Sequence, residues 1–199
     1  MVKKKRFHFI FLLVPFFCVC SSNIPDTHYY LIDYPIEPKS NKSEPVHKTI
    51  LGVERFKANP LYKDERLVYR ESQYEGKYYN YHRWITNPEE LITNKVIEQL
   101  NASNLFEQVV AFPKYSHVDY VLHGIIKALE EWDEDDQWYA IVNIAFKLVD
   151  RKTNQIVWQN SIEKKNKVSK KNPPEVVKEI NMGVKQCIEE LQIILKSIH

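Results

Sequence analysis

The chain has 199 residues, a formal net charge of +2, four glycines and three cysteines. Neither common glycine-rich phosphate loop, G-x-G-x-x-G or G-x-x-x-x-G-K-[ST], occurs in it, so these nucleotide-binding motifs are excluded. Much of the positive charge lies near the N-terminus. The rest of the chain is therefore close to neutral, which argues against nucleic acid as a partner.

The N-terminal segment, residues 1–19, has the pattern of a secretory signal peptide. Four cations ending at Arg6 precede an apolar run from Phe7 to Val19. This run is shorter than the roughly 20 apolar residues that a membrane-spanning helix needs. Cys20 ends the run and Ser21 follows it. This arrangement resembles the lipobox of bacterial lipoproteins, whose cysteine is diacylated and becomes the first residue of the mature protein.

Two positions depart from the usual lipobox. Val19 stands where a small residue is preferred, and Phe17 stands where Leu is usual. An uncleaved anchor and an ordinary secretion signal are therefore the alternatives. We expect residues 20–27 to form a lipidated tether and residues 28–199 to form one periplasmic domain. Cys187 is then the remaining thiol, which excludes a disulfide within the chain.

The first part of the domain predicts several strands and one helix. Aromatic, β-branched and alternating residues predict strands over 28–33, 48–56, 66–72 and 77–81. A helix follows Asn87, which we expect to act as its N-cap. Pro88 suits the first helical position and Glu90 occupies the place of a capping-box carboxylate.

The second part predicts a long hairpin followed by a long helix. Strands are expected over 106–112, 119–132, 137–150 and 156–163. In both strands of the hairpin, apolar residues recur at every second position, so one face should be buried. The final helix begins at Pro173 and keeps apolar residues at helical spacing for about six turns. We expect the hairpin to form the centre of the sheet and the helix to cover its apolar face.

The order of these elements predicts an α+β domain. We expect a mixed or mostly antiparallel sheet of about five to seven strands, with two main helices packed on one face.

Two charged clusters could carry function or could simply be solvated. The acidic residues from Glu130 to Asp136 lack the spacing of an EF-hand, and we interpret them as an exposed hairpin tip. A predicted basic loop over 164–171 contains Lys164, Lys165 and Lys167. It could contact anionic lipid or an acidic partner, or it could be an ordinary solvated loop.

Trp84, Tyr79 and Tyr81 are candidate partner contacts, because aromatic residues often dominate protein interfaces. The alternative for Trp84 is that it packs the start of the first helix onto the sheet. For the tyrosines it is that they are half-buried strand residues. The histidines are scattered without the spacing of metal ligands, so no metal site, cofactor or catalytic set is predicted.

Several short motifs then follow one another in a distinctive order. They are Tyr29-Tyr30-Leu31, Ile50 to Phe56, Asn59-Pro60-Leu61, Leu67 to Arg70, Trp84 before Pro88, and Asp119-Tyr120-Val121-Leu122. Together with the lipobox pattern, this order resembles the ABC-type transport auxiliary lipoproteins over nearly all of the mature chain.

That resemblance implies a non-enzymatic lipoprotein on the periplasmic face of the outer membrane of a Gram-negative bacterium. It implies partnership with an ABC permease, its ATPase and an MCE-domain protein, which together move lipids or other hydrophobic molecules between membranes. Homo-oligomerisation is left open. The alternatives are a secreted hydrolase, which needs a cleft with converging titratable groups, and a soluble carrier that holds lipid in its core.

Overall fold

The computed structural model describes residues 25–37, 44–115 and 117–198, so the predicted signal peptide and Cys20 lie outside the described residues. Within these ranges the fold is α+β, with one mixed sheet and two α-helices, as predicted. The sheet has nine strands rather than five to seven, because two of them are only two and three residues long. The strands are β1 His28–Tyr30, β2 His47–Glu54, β3 Lys57–Ala58, β4 Arg66–Ser72, β5 Glu75–Trp84, β6 Phe106–Phe112, β7 Tyr120–Glu134, β8 Gln137–Asp150 and β9 Ile156–Lys167. The helices are α1 Pro88–Ala102 and α2 Pro173–Ser197, and a 3-10 turn spans Pro60–Tyr62.

Strand β7 organises the sheet. One edge of β7 pairs antiparallel with β8, and β9 continues the sheet beyond β8. The other edge of β7 receives three successive parallel strands, β2, β3 and β4. Strand β6 lies beside β2, and β5 and then β1 lie beside β4. The prediction that the long hairpin forms the centre of the sheet is therefore confirmed.

Both helices lie on the face of the sheet that carries the alternating apolar residues. α2 packs on β8, β9 and β7, while α1 packs on β6, β2 and β3 and also contacts α2. Leu122, Ile126, Val142 and Ile144 of the hairpin are fully buried together with Ile188 of α2. Burial of this apolar surface, at about 25 cal/mol per Å², is the main stabilising contribution.

The two helices begin differently. The N-cap of α2 is Asn172, whose Oδ1 accepts a hydrogen bond from the backbone N–H of Glu175 at 3.0 Å. Asn87 precedes α1 but its side chain makes no capping hydrogen bond, so the predicted N-cap interaction is wrong. Instead, Glu89 of the first turn accepts a hydrogen bond from the backbone N–H of Ala58 at 2.9 Å and ties α1 to β3.

Some predicted boundaries are wrong by a few residues. Strand β1 ends at Tyr30, because the following chain turns onto α2. There, Asn181 donates to the Leu31 carbonyl at 3.1 Å and accepts from the Asp33 N–H at 2.7 Å. Strand β9 continues through Lys167, so the first part of the predicted basic loop is β-strand.

Candidate functional site

The sheet has one covered face and one open face in its β7, β8 and β9 region. Residues alternate between them: Leu122 and Ile126 lie under the helices, whereas Ile125 points to the opposite side and is 42% exposed. Because both α-helices pack on the other side, this surface is available to solvent apart from the part of β7 that the 3-10 turn contacts. We call this surface the open face.

A groove of about 580 Å³ lies on the open face, within the usual volume range of binding clefts. Its lining includes Glu54, Lys57, His123, Ile125, Lys127 and Lys147. These residues come from the place where β2 and β3 meet β7 and from the facing part of β8. The groove therefore depends on the three-strand junction along the edge of β7.

The charge of the groove is predominantly positive. Among the described residues, Lys57, Lys127 and Lys147 form no ion pair; Lys127 donates to the hydroxyl of Ser161 at 2.7 Å. The groove carboxylate, Glu54, is engaged by Nδ1 of His123, with 2.5 Å between the two atoms. The lysines thus remain available to an anionic or acidic partner.

The three candidate lysines of β9 divide between the two faces. Lys164 lies on the helix side, where its ammonium donates to the Glu190 carboxylate at 2.6 Å. Lys165 lies on the open face, forms an ion pair with Glu134 and places its ammonium 4.3 Å from the centre of the Tyr139 ring. Lys167 is exposed and pairs in register with Tyr139, so it also belongs to the open face. Alternation along a strand explains why residues close in sequence separate.

Trp84 lies in the hydrophobic core, where it is 1% exposed, so its indole is not on the surface that a partner would meet. It belongs to the same buried cluster as Ile92 and Val96 of α1. Replacing a buried tryptophan by alanine costs roughly 3–5 kcal/mol, so Trp84→Ala would strongly destabilise the domain and report on stability rather than docking.

The two candidate tyrosines have different environments. Tyr79 turns inward: its hydroxyl donates to Oε2 of Glu131 at 2.9 Å, and its ring packs 4.8 Å from that of Tyr69. Burial raises the pKa of Tyr79, and the negative charge of Glu131 adds to the effect. Tyr81 is exposed and remains a candidate contact.

Two residues of the predicted acidic tip, Glu130 and Glu131, are buried instead of solvated. Tertiary structure hides them because β4 pairs beside this part of β7 and the side chains of Tyr62 and Tyr79 contact the two carboxylates. Glu130 accepts a hydrogen bond from the Tyr62 hydroxyl at 2.6 Å and pairs with Arg70 at 3.4 Å. Burial nevertheless raises its pKa, because these partners offset only part of the cost of desolvation.

Glu131 points to the other side of β7 and is 1% exposed. Its burial raises the pKa to about 8; the hydrogen bond from Tyr79 lowers the pKa, and the carboxylate of Asp133 raises it further. Oε1 of Glu131 and Oδ1 of Asp133 have no hydrogen-bond donor among the described residues. This is an environment that favours a protonated carboxyl group near neutral pH.

The remaining thiol of the described chain offers no reactive chemistry. Cys187 is fully buried on α2, and burial raises its pKa to about 12. Its sulfur faces the backbone carbonyls of Val142 and Ile162 at 4.0 and 3.8 Å. A buried neutral thiol of this kind behaves as a small apolar side chain.

Sequence reasoning missed the groove lysines, although part of the signal was present. Lys147 occupies the polar side of the alternating hairpin, which the pattern identifies without further information, whereas Lys127 is the unpaired residue where the register of β7 shifts between Ile126 and Ala128. Lys57 lies beside these two lysines only because β3 pairs in parallel with β7. The local sequence pattern does not predict this nonlocal pairing.

Two general findings concern the described part of the chain. It contains no cluster of three or more histidine, cysteine or acidic side chains that could bind a metal ion. None of its helices is long and apolar enough to cross a membrane.

Known structures share this fold. Protein XCC0632 from Xanthomonas campestris superposes with a TM-score of 0.74 at 17% identity, over 83% of this chain and 93% of that one. Protein CT253 from Chlamydia trachomatis has a TM-score of 0.51 at 6% identity, over 76% of this chain and 98% of that one. At such identities the likeness shows the fold alone, and no curated protein sequence matches the chain.

The sequence also matches a family model, described as the ABC-type transport auxiliary lipoprotein component, over residues 29–192. The match spans every strand from Tyr29 onward and most of α2. The chain therefore belongs to the ABC-type transport auxiliary lipoprotein component family.

Proposed function

We propose that the protein is a lipid-anchored accessory subunit of an ABC/MCE-type transport system. In this role it stands on the periplasmic face of the outer membrane and helps to move lipids or other hydrophobic molecules between the two membranes. It acts by docking to partner proteins, namely the MCE-domain protein and the ABC permease with its ATPase. The observation that carries the proposal is the open, lysine-bearing sheet face in a member of a transport-component family.

The open face suits protein docking. Lys57, Lys127 and Lys147 surround the exposed Ile125, so an apolar contact at the centre has cations around it. Interfaces commonly combine an apolar centre with a polar rim, and complementary charge sets the orientation and association rate of the partner. Lys165 and Lys167 extend the same face along β9. We therefore expect the docking partner to present an acidic segment.

The anchor is the second part of the proposal. Diacylation of Cys20 would hold the domain at a bilayer, because two or more acyl chains anchor stably where one binds only marginally. Strand β1 begins at His28, which would leave a short tether between an acylated Cys20 and β1.

The contacts in the groove do not favour the hydrolase alternative. The groove contains Ser161, His123 and Glu54, but the hydroxyl of Ser161 bonds to Lys127 instead of His123. The hydrogen bond between nucleophile and base that nucleophilic catalysis requires is therefore not formed. The carrier alternative requires an enclosed apolar cavity, whereas this groove lies on the surface and is lined by lysines.

Palmitate labelling tests the anchor. In a Gram-negative host, radiolabelled palmitate should be incorporated into the wild-type protein and lost in Cys20→Ala, and the wild type should fractionate with the outer membrane. A wild-type protein without label would overturn the anchor.

Charge reversal on the open face tests docking. We expect the triple variant Lys57→Glu/Lys127→Glu/Lys147→Glu to reduce capture of the MCE-domain protein by about tenfold or more, through loss of charge complementarity. The matched control reverses three lysines of α2, on the opposite side of the sheet: Lys178, Lys185 and Lys196. Equal capture by wild type, variant and control would argue against docking through this face.

A further inference from the structure

The end of the sheet where the tether enters carries a group of exposed apolar side chains. Tyr29, Leu31 and Ile85 are each more than half exposed. They are neighbours: Tyr29 pairs with Arg83 in the register of β1 and β5, and the Ile85 N–H donates to the Tyr30 carbonyl at 2.8 Å. We call these three residues the tether patch.

The tether patch is held rigidly. On the inner side of β1, the rings of His28 and Tyr30 stack with that of His82, and the Tyr30 hydroxyl lies 2.8 Å from Nδ1 of His82. These contacts turn Tyr29, which alternates with His28 and Tyr30, to the outer side. Asn181 of α2 then fixes the backbone on both sides of Ile32 through its bonds to residues 31 and 33. The exposure of the patch is therefore a property of the folded domain.

We propose that the tether patch rests on the lipid bilayer in which Cys20 is anchored, and that this contact sets the orientation of the domain. The inference depends on the proposed lipid anchor. His28 is eight residues from Cys20 in the sequence, and at the maximum extension of about 3.5 Å per residue the tether reaches about 28 Å. Tyr29 and Leu31 are the first exposed large apolar side chains of the described residues. The tether would keep them within about 30 Å of the membrane surface.

The chemistry of the patch fits the boundary between headgroups and acyl chains. Tyrosine is enriched at that depth, and Leu31 and Ile85 supply apolar contact. Arg83, which forms no ion pair in the described part of the chain, lies on the same side as Tyr29 and can face a lipid phosphate. The nearby carboxylate of Asp33 forms an ion pair with Lys95, which it shares with Glu98, each with 2.9 Å between the charged atoms. The acyl chains supply affinity and the patch supplies orientation.

Depth-dependent quenching tests this placement in the full lipidated protein. Single cysteines, Leu31→Cys and Ile85→Cys, are labelled with the fluorophore NBD, and the protein is reconstituted into phosphatidylethanolamine and phosphatidylglycerol vesicles containing doxyl-labelled lipid. The native thiols do not interfere, because Cys20 is acylated and Cys187 is fully buried. The control is Tyr74→Cys, which is 89% exposed at the far end of β5, ten residues and about 33 Å from Trp84.

We expect the labels at residues 31 and 85 to be quenched at least about twofold more than the label at residue 74. Equal quenching at all three positions on membrane-bound, palmitate-labelled protein would overturn the inference and leave the proposed function intact. A change in fluorescence that requires the MCE-domain protein, or that occurs without vesicles through self-association, would assign the patch to a protein contact and also overturn it. Absence of palmitate on the wild-type protein would overturn the anchor and the inference together.

Discussion

The two faces of the central strands have different environments, even though adjacent residues of the same strand contribute side chains to both faces. Toward the helices, side chains meet a filled core; on the other side they meet solvent, a groove or a partial cover from the 3-10 turn. Three adjacent pairs divide in this way: Gly124 and Ile125, Glu131 and Glu130, and Lys164 and Lys165. The buried apolar contacts are therefore concentrated on one side of the sheet.

Substitutions of the first pair, Gly124 and Ile125, should show the largest difference in the free energy of unfolding that is lost. A Cβ added at Gly124 would lie 2.4 Å from carbons of the Phe56 ring, which is itself buried, so Gly124→Ala overpacks the core. We expect it to lower the free energy of unfolding by about 3 kcal/mol. Ile125→Ala, one residue away on the open face, should cost less than about 1 kcal/mol. Urea denaturation of both variants measures the contrast, and equal losses would mean that the open face is covered in solution.

The second pair should differ in its dependence on pH. The pKa of Glu131 is raised from 4.5 to about 8, so the folded protein keeps a proton that the unfolded chain releases between these values. Stability from this group is therefore greatest below pH 4.5 and falls as pH rises toward 8. Glu131→Gln should remove that decline and raise the free energy of unfolding at pH 8 by about 4 kcal/mol, with little effect near pH 4.5.

Glu130→Gln is the matched control for this second prediction. Arg70 and Tyr62 already offset part of the burial cost of Glu130, so its replacement should change the pH dependence less. Thermal unfolding between pH 4.5 and 8 measures both variants. A decline with pH that is unchanged in Glu131→Gln would show that Glu131 is ionised throughout this range.

The sequence predicts the parts of this contrast that have a local cause, and it does not predict those that result from contacts between distant parts of the chain. Strands β4, β6 and β8 agree with their predicted ranges, and the buried positions of β8 follow directly from period-two alternation. The burial of Glu130 and Glu131 could not be predicted, because it results from parallel pairing with β4, some sixty residues earlier. A carboxylate-rich run is usually solvated, and here tertiary contacts override that local tendency.

The candidate site residues were likewise predicted well only where the cause is local. The sequence grouped Lys164, Lys165 and Lys167 as one loop because lysine-rich runs are commonly irregular, whereas pairing with β8 keeps them in a strand. Because side chains alternate along a strand, Lys164 lies on the opposite face from Lys165 and Lys167. Trp84 looked like an interface residue by type, but type alone does not distinguish an interface tryptophan from a core tryptophan. Cys20 lies outside the described residues, so its acylation stays a prediction.

Substitutions of the third pair, Lys164 and Lys165, should have the smallest effects on stability and should separate a role in stability from a role in docking most clearly. Lys164→Ala removes an ion pair with Glu190 that is partly open to solvent, so we expect a loss of about 0.5 kcal/mol. Lys165→Ala removes a more exposed pair with Glu134 and should cost less, yet it removes a cation from the open face. Capture of the MCE-domain protein should therefore fall for Lys165→Ala and stay unchanged for Lys164→Ala. Both variants remove one lysine from the same strand and leave the net charge equal, so a difference in capture would point to the face that the lysine occupies. If capture instead fell for Lys164→Ala and stayed unchanged for Lys165→Ala, the docking surface would lie on the helix side.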